Sequence, residues 1–477
     1  MAGQIDLTQG AIRSSLLKLA LPIMGTSLIQ MAYNMTDMIW IGRMGSGAVA
    51  AVGTAGFFTW FSFAFILIGK VGAEISISQS LGRKEPGEAR EYARSALYLI
   101  SFLAIIWSIF LVLNSRSLIG FFRFSETNVV DMADKYLSIV AVGTLFSSLS
   151  VVFAGIYNGC GNSRTPFYIT AAALVVNMVL DPLLIFGAGI FPAMGVRGAA
   201  IATVIAQLGS TTVFIILFIT NRSPFADFKF FKRLDFAHIK EVFRLGAPVA
   251  LESGGFTVFA MILARIIAKW GALPIAVQRV GSQIEAISWM TASGFSTALC
   301  TYMGQNFGAK KWDRLWESYW SAFQMVLMVG SAATFLFLVF PEQIFAIFLP
   351  EAEAIAVGVV YLRILGLSQI FMCMEIISSG AFKGMGRTVP PTVVSLIFTG
   401  LRIPLALIIS AENILGLDGV WWSISISSIL KGIILPVWFI LFLHSHPCVV
   451  SNLKIIRKIQ SWNNRYLRDK RSFSGKC

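Results

Sequence analysis

Asp37 and Asp181 each lie inside an apolar stretch long enough to cross a bilayer, in MTDMIW and NMVLDPLLIF. An ionised carboxylate at such a depth is costly and marks a candidate ion or proton site. Asn177 stands one helical turn before Asp181, and Tyr33 one turn before Asp37, so each acid has a polar neighbour on its own helix face. Carboxylate and amide oxygens are hard ligands that suit a small hard cation, and the same acids would take a proton. The residues alone leave the choice between Na+ and H+ open.

Those side chains need elements that hold them within a membrane. The chain has 477 residues, 56% hydrophobic and 13% charged, with a mean hydropathy of +0.75. Soluble domains run at roughly 45–50% apolar and about 25% charged. Apolar runs of about twenty residues recur throughout, as helices crossing a core of about 30 Å require, and the alternating pattern of an outer-membrane barrel is absent. The windows fall at approximately 15–42, 48–80, 91–113, 129–158, 166–188, 197–220, 243–268, 272–304, 314–340, 354–382, 390–411 and 418–444. The first window is too long for a signal-peptide core and is expected to remain as a helix.

The chain is written twice. Pro22 matches Pro248, Gly45 matches Gly271, Gln79 matches Gln305, Gly82 matches Gly308 and Pro166 matches Pro391 at a nearly constant offset, and GVRGAA matches GLDGVW. An even number of spans per copy returns the second copy in the same orientation, so the copies are related by an axis along the membrane normal. The expected fold is an all-α integral membrane protein, with twelve transmembrane helices in two pseudo-symmetric six-helix lobes around a central cavity. The expected organisation is an amino lobe over 1–220, a cytoplasmic linker over 221–242, a carboxyl lobe over 243–445 and a basic cytoplasmic tail over 446–477. The stretch FKRLDFAHIKEVFRL reads as amphipathic and interfacial.

The net charge of +14 comes from cations concentrated in alternate loops and the tail, among them Arg83, Lys84, Arg90, Lys310, Lys311, Lys383 and Arg387. The positive-inside rule places those loops and both termini in the cytoplasm. The charge therefore reads as topology and anionic-lipid contact, not as nucleic-acid binding. Cys160, Cys300, Cys373, Cys448 and Cys477 show no disulfide or metal pattern. The three histidines, His238, His444 and His446, lie in or beside inner loops, which excludes a histidine-based active site within the membrane.

Through the stretches LALPIMGTSLIQMAYNMTDMIWIGRMG, NGCGNSRTP, NMVLDPLLIFG and MGVRGAAIAT, the chain resembles, over nearly its whole length, the multidrug and toxic compound extrusion (MATE) transporters. The resemblance implies a secondary antiporter, not an enzyme, that exports organic, often cationic, amphiphiles in exchange for Na+ or H+. It needs no cofactor beyond that ion, and a monomer in the cell membrane is expected. The family's amino-lobe cation site falls on Asp37, Asn177, Asp181, Ala199 and Thr203, with Tyr33 and Tyr136 nearby. Pro22, about four turns before Asp37, removes a backbone hydrogen bond and is either a hinge or a fixed kink.

The second copy does not repeat these acids, since Asp37 maps to Leu263, Asn177 to Arg402 and Asp181 to Ala406. The carboxyl lobe has Glu252, Glu285 and Glu375 instead. Each either faces the cavity, for coupling or substrate, or forms a buried bridge with Arg265, Arg279 or Arg402. Lys70 and Glu74 make an unusual i,i+4 pair expected to neutralise itself, and a part in coupling is the sharper reading. Trp60, Phe63, Phe256, Phe259, Trp289 and Met372 are candidates for a soft cavity lining. A lipid-linked precursor flippase of related fold is the runner-up, and no nucleophile–base pair or metal cluster supports an intramembrane enzyme.

Overall fold

A computed structural model describes residues 6–122, 127–187, 192–220, 225, 228–232, 235–349, 351–411 and 413–445. The basic tail expected over 446–477 lies outside them. The described residues form helices joined by short turns, as a bilayer demands of a backbone that must satisfy its own hydrogen bonds. The amino lobe contains α1 (Ile12–Gly42), α2 (Ser46–Gly82), α3 (Pro86–Gly120), α4 (Thr127–Gly159), α5 (Arg164–Phe186) and α6 (Val196–Ile219). The carboxyl lobe contains α7 (Phe236–Ile267), α8 (Ala272–Gly308), α9 (Trp312–Val339), the short α10 (Pro341–Phe348), α11 (Ala352–Gly366), α12 (Gln369–Gly384), α13 (Val389–Ile409) and α14 (Leu417–Ser445).

Ten of these helices are long and apolar enough to cross a membrane, and α11 with α12 makes an eleventh span bent by 48°. The twelfth is α8, whose 37 residues include Arg279 and Glu285. The stretch read as an interfacial linker is, from Phe236 onward, the first turns of α7. Asp235 caps that helix, its side chain accepting from the Ala237 amide at 2.9 Å.

The internal repeat is imprinted on the backbone. Gly45 and Gly271 share a left-handed φ (104° and 97°), and so do Gly161 and Gly386 (78° and 74°). Lys84 and Lys310, also matched by the repeat, take φ of 65° and 56°, where side chains seldom go.

Glycines also set the spacing of helices. A Cβ on Gly155 or Gly159 of α4 would meet the backbone of Lys70 or Glu74 of α2, and one on Gly380 or Gly384 of α12 would meet the carbonyls of Ser296 or Cys300 of α8. Both are small-xxx-small faces that let helix backbones touch. They fix where Lys70 and Glu74 stand.

The lobes meet the same way. Gly72 of α2 abuts the Val242 carbonyl of α7, and Gly246 of α7 abuts the Ile68 carbonyl of α2. Gly82 abuts the Gln305 carbonyl, and Gly308 reciprocally abuts the Gln79 carbonyl. The Gln79 side chain donates to the Gly384 carbonyl at 2.9 Å. Beneath this seam a strap, Asp6–Gly10, ties the chain before α1 to the carboxyl lobe. The Leu7 amide donates to Gln305 Oε1 at 3.1 Å, and Asn306 Nδ2 donates back to the Leu7 carbonyl at 3.1 Å. Lys311 donates to Thr8, and Arg314 to the carbonyls of Leu7, Gln9 and Gly10. Toward the other ends of α2 and α7, Phe57, Trp60, Phe256 and Met261 are exposed.

Candidate functional site

α1, α5 and α6 bring together the residues singled out in the amino lobe. Asn177 and Asp181, one turn apart on α5, are buried, with Asn177 Nδ2 donating to Asp181 Oδ1 at 3.4 Å. Thr203 of α6 donates to the Ala199 carbonyl at 3.0 Å, and its hydroxyl lies 3.4 Å from that of Tyr33 on α1. Tyr136 of α4 lies within electrostatic reach of both aspartates.

The pocket has more acceptors than donors. Asp37 Oδ1, Asp181 Oδ2 and Asn177 Oδ1 are buried with no hydrogen-bond donor, and no Lys or Arg pairs with either aspartate among the described residues. Buried acceptors left this way are costly. A donor set of two carboxylates, an amide oxygen, a hydroxyl and the Ala199 carbonyl fits a small hard cation or protons. Pro22 lies inside an uninterrupted α1 of 31 residues, and the hydroxyl of Thr26 returns to the Pro22 carbonyl at 3.0 Å.

In the carboxyl lobe the matched positions make no such pocket. Leu263 and Ala406 pack with Val420, Ile266 and Ile267 as an apolar cluster. The glutamates find partners, and these are not the arginines of the bridging alternative. Glu252 pairs with Lys383 at 3.3 Å and Glu375 with Lys431 at 3.0 Å. Glu285 accepts from the Tyr361 hydroxyl at 2.6 Å and from Gln369 Nε2 at 3.2 Å. Arg265 and Arg279 are exposed, while the buried Arg402 donates to Ser427 at 2.6 Å and Ser428 at 3.1 Å. Lysine wins at Glu252 because α12 carries Lys383 into the same layer, one residue before the helix ends.

Lys70 and Glu74 also depart from expectation, for no ion-pair contact joins them. Glu74 turns across the interface to accept from Thr301 of α8 at 3.2 Å, while the stem of Lys70 packs against Gly155. Lys70 and Lys383 both remain within electrostatic reach of Glu74. Lys383 was read only as a loop cation and Lys431 was not singled out, although a lysine inside the apolar run of α14 is itself a signal.

The doubled chain has relatives among known proteins. The MatE family model matches residues 22–183 and 248–408, one match in each half. "Probable multidrug resistance protein NorM" of Thermotoga maritima is 30% identical over 412 residues, covering 86% of this chain and 88% of that protein. "Probable multidrug resistance protein YoeA" of Bacillus subtilis is 28% identical over 414 residues, covering 84% and 87%. An outward-facing multidrug resistance MATE family transporter of the MOP superfamily shares the fold, with a TM-score of 0.87 at 22% identity over 93% of this chain and 98% of that one. A MOP superfamily transporter from Pyrococcus furiosus gives a TM-score of 0.86, also at 22% identity, over 93% and 98%. With both halves matched by the family and the sequence likeness running through most of its length, this chain belongs to the MATE family of membrane transporters.

Proposed function

We propose that the protein exports small organic molecules in exchange for an inward flow of H+ or Na+ through the amino-lobe pocket. The observation that carries this reading is the cluster of buried oxygens on Asp37, Asp181 and Asn177 with no donor and no basic partner. A site of that kind gains most from an exchangeable cation. Its differential affinity between the two conformations then drives substrate the other way.

The positive-inside pattern supports a cytoplasmic position for both termini, because Lys84, Lys310, Lys311, Arg314 and Arg387 gather at the end of the molecule that holds the strap and the seam. With that end inside, the lobes are closed toward the cytoplasm and the substrate path opens outward. Pro22 is the natural place for α1 to bend between states, since its ring removes one link of the helix ladder there. The coupling residues, the twofold organisation of lobes and the single chain as the working unit all belong to this reading. A flippase for an anionic lipid-linked precursor would need a cleft with surplus cations, and here each cleft lysine has a glutamate nearby.

The test is fluorescent-dye efflux by wild type, Asp37→Asn and Asp181→Asn in everted vesicles under separately imposed Na+ and H+ gradients. Loss of gradient-driven efflux in both variants is expected, with one gradient sufficient for wild type. Variants that pump as well as wild type would sink the reading.

A further inference from the structure

α1 belongs to one lobe by sequence and to both by packing. Its first turns, through Leu16, Leu19 and Ala20, lie in the carboxyl-lobe core with Leu299, Met303 and Val326, whereas its last turn, through Ile41, lies in the amino-lobe core with Tyr136 and Ile185. Beside the first turns, α1 and α9 leave a groove of about 380 Å³, lined by Arg13 of α1 and by Ser321, Gln324, Met325, Leu327 and Met328 of α9. Arg13 Nη2 donates to Gln324 Oε1 at 2.7 Å, so the amide N–H groups of Gln324 and the other N–H groups of Arg13 stand side by side as donors. No carboxylate pairs with Arg13 among the described residues, and that includes Glu317 of α9.

The groove straddles a membrane boundary. α9 carries no charged residue from Met325 to Phe340, and α1 carries none from Leu19 to Thr36, so Arg13 and Gln324 stand just outside the hydrocarbon-spanning run of each helix. Farther along, Leu17 and Leu21 of α1 and Leu327, Met328 and Phe335 of α9 are exposed apolar surface. A cation with amide donors at the headgroup level, continued by an apolar track, is complementary to an anion that carries a tail. A free anion would leave the track uncovered. A zwitterionic lipid would bring a cation of its own beside Arg13, and a cationic amphiphile would leave Arg13 with no counter-charge.

We propose that this groove is a binding site for one anionic phospholipid of the cytoplasmic leaflet, with its phosphodiester on Arg13 and Gln324 and one acyl chain along Leu327, Met328 and Phe335. The proposal rests on the transporter reading only for which leaflet supplies the lipid. Arg13 belongs to the helix that carries Asp37, and Gln324 belongs to the opposite lobe. A lipid bridging the two stabilises the arrangement in which the first turns of α1 rest on the carboxyl lobe, as any ligand stabilises the conformation it binds.

The test uses the full chain in phosphatidylcholine bilayers, with bimane attached at Ser331→Cys as the sole cysteine, one turn beyond Met328 on the exposed side of α9. Quenching by phosphatidylglycerol with a nitroxide-labelled chain is compared with quenching by phosphatidylcholine bearing the same chain. At Ser331 the anionic lipid is expected to bind about fivefold more tightly, while at Leu113→Cys, exposed near the far end of α3, the two should quench alike. Arg13→Gln should abolish the preference at Ser331 and leave quenching by phosphatidylcholine as it was, which a misfolded chain would not do, and Arg13→Lys should keep most of the preference. Equal binding of the two lipids at Ser331, the same preference at Leu113, a ratio untouched by Arg13→Gln, or a preference erased by excess inorganic phosphate would each overturn the proposal. These ratios are read with no gradient and no dye to export, so they stand or fall apart from the efflux test.

Discussion

Thr301 of the carboxyl lobe donates its hydroxyl to the carboxylate of Glu74 in the amino lobe, across 3.2 Å of buried interface. Glu74 is one of the few charged groups here whose hydrogen-bond partner belongs to the opposite lobe, so the bond exists only while this end is shut. Thr301→Val removes the donor and leaves a buried acceptor, at a cost of about 1–3 kcal/mol to the closed arrangement. Cys300, its buried neighbour, reads the result. In a variant retaining Cys300 as its sole cysteine, Thr301→Val should speed maleimide labelling severalfold, and unchanged labelling would show that the bond holds nothing shut.

The proposed coupling pocket would hold Na+ and H+ through different numbers of ligands. A sodium ion needs the whole set of oxygens, whereas a proton needs a carboxylate alone. Under sodium coupling, Asn177→Ala should raise the half-saturating Na+ concentration by about tenfold or more, one ligand being worth at least about 1.4 kcal/mol. Under proton coupling the same variant should keep its maximal rate while Asp181→Asn loses it. Vesicle flux titrated with Na+ at fixed pH, and then with pH at fixed Na+, separates the cases.

The seam between lobes has no room for a methyl group. A Cβ on Gly82 would lie 2.1 Å from the Gln305 carbonyl oxygen, far inside contact distance. Gly82→Ala should therefore favour the state in which this end is parted. Spin labels at Phe57→Cys and Phe256→Cys, near the opposite ends of α2 and α7, are expected to come closer together as the near ends separate. A distance distribution identical to that of the parent would contradict the backbone contact.

The strap that precedes α1 should act as a clip. Arg314 alone donates to three of its carbonyls, so Arg314→Ala should let the start of α1 fray, speed trypsin cleavage at the already exposed Arg13 and lower the thermal unfolding temperature by a few degrees. Acid should loosen it too. Some burial pushes the Asp6 carboxyl up, but hydrogen bonds from Thr8 and the charges of Lys311 and Lys84 outweigh it and hold Asp6 below its ordinary 3.8. Its stabilising contribution is therefore complete well above that value and is lost as pH falls through the lowered one. Amide exchange at Leu7, corrected for the intrinsic pH dependence of exchange and read by mass spectrometry at each pH, should accelerate only below about pH 4.

The spans, their doubling and the amino-lobe pocket were legible because each leaves a local trace in the chain. Apolar length marks a span, prolines, glycines and glutamines at a constant offset mark the repeat, and an acid in a hydrophobic run marks the pocket. Partnership left a weaker trace. Glu252 and Glu375 were read as either facing the cavity or bridging to an arginine, and it is Lys383 and Lys431 that reach them. Lys383 sits one residue past an apolar window and reads as a loop cation, although α12 continues to Gly384 and carries it inward. Lys70 and Glu74 have the spacing of a pair, but the close approach at Gly155 and the hydroxyl of Thr301 pull them apart. Such choices depend on which helices pack together, which no window of sequence contains.

The reciprocal contacts of Gly82 and Gly308 bear on tempo as well as shape. Where interdigitated side chains hold two bodies together, parting them means unthreading rotamers one after another, and friction comes from the protein itself. Here bare backbone lies on bare backbone, so once the bonds of Gln79, Glu74 and the strap have let go, few rotamers remain to be unthreaded. Resistance must then come from whatever fills the opening gap, lipid tails on the flanks and water along the axis. Bilayer thickness and tail order should accordingly tune the speed of each cycle without touching a single ligand contact.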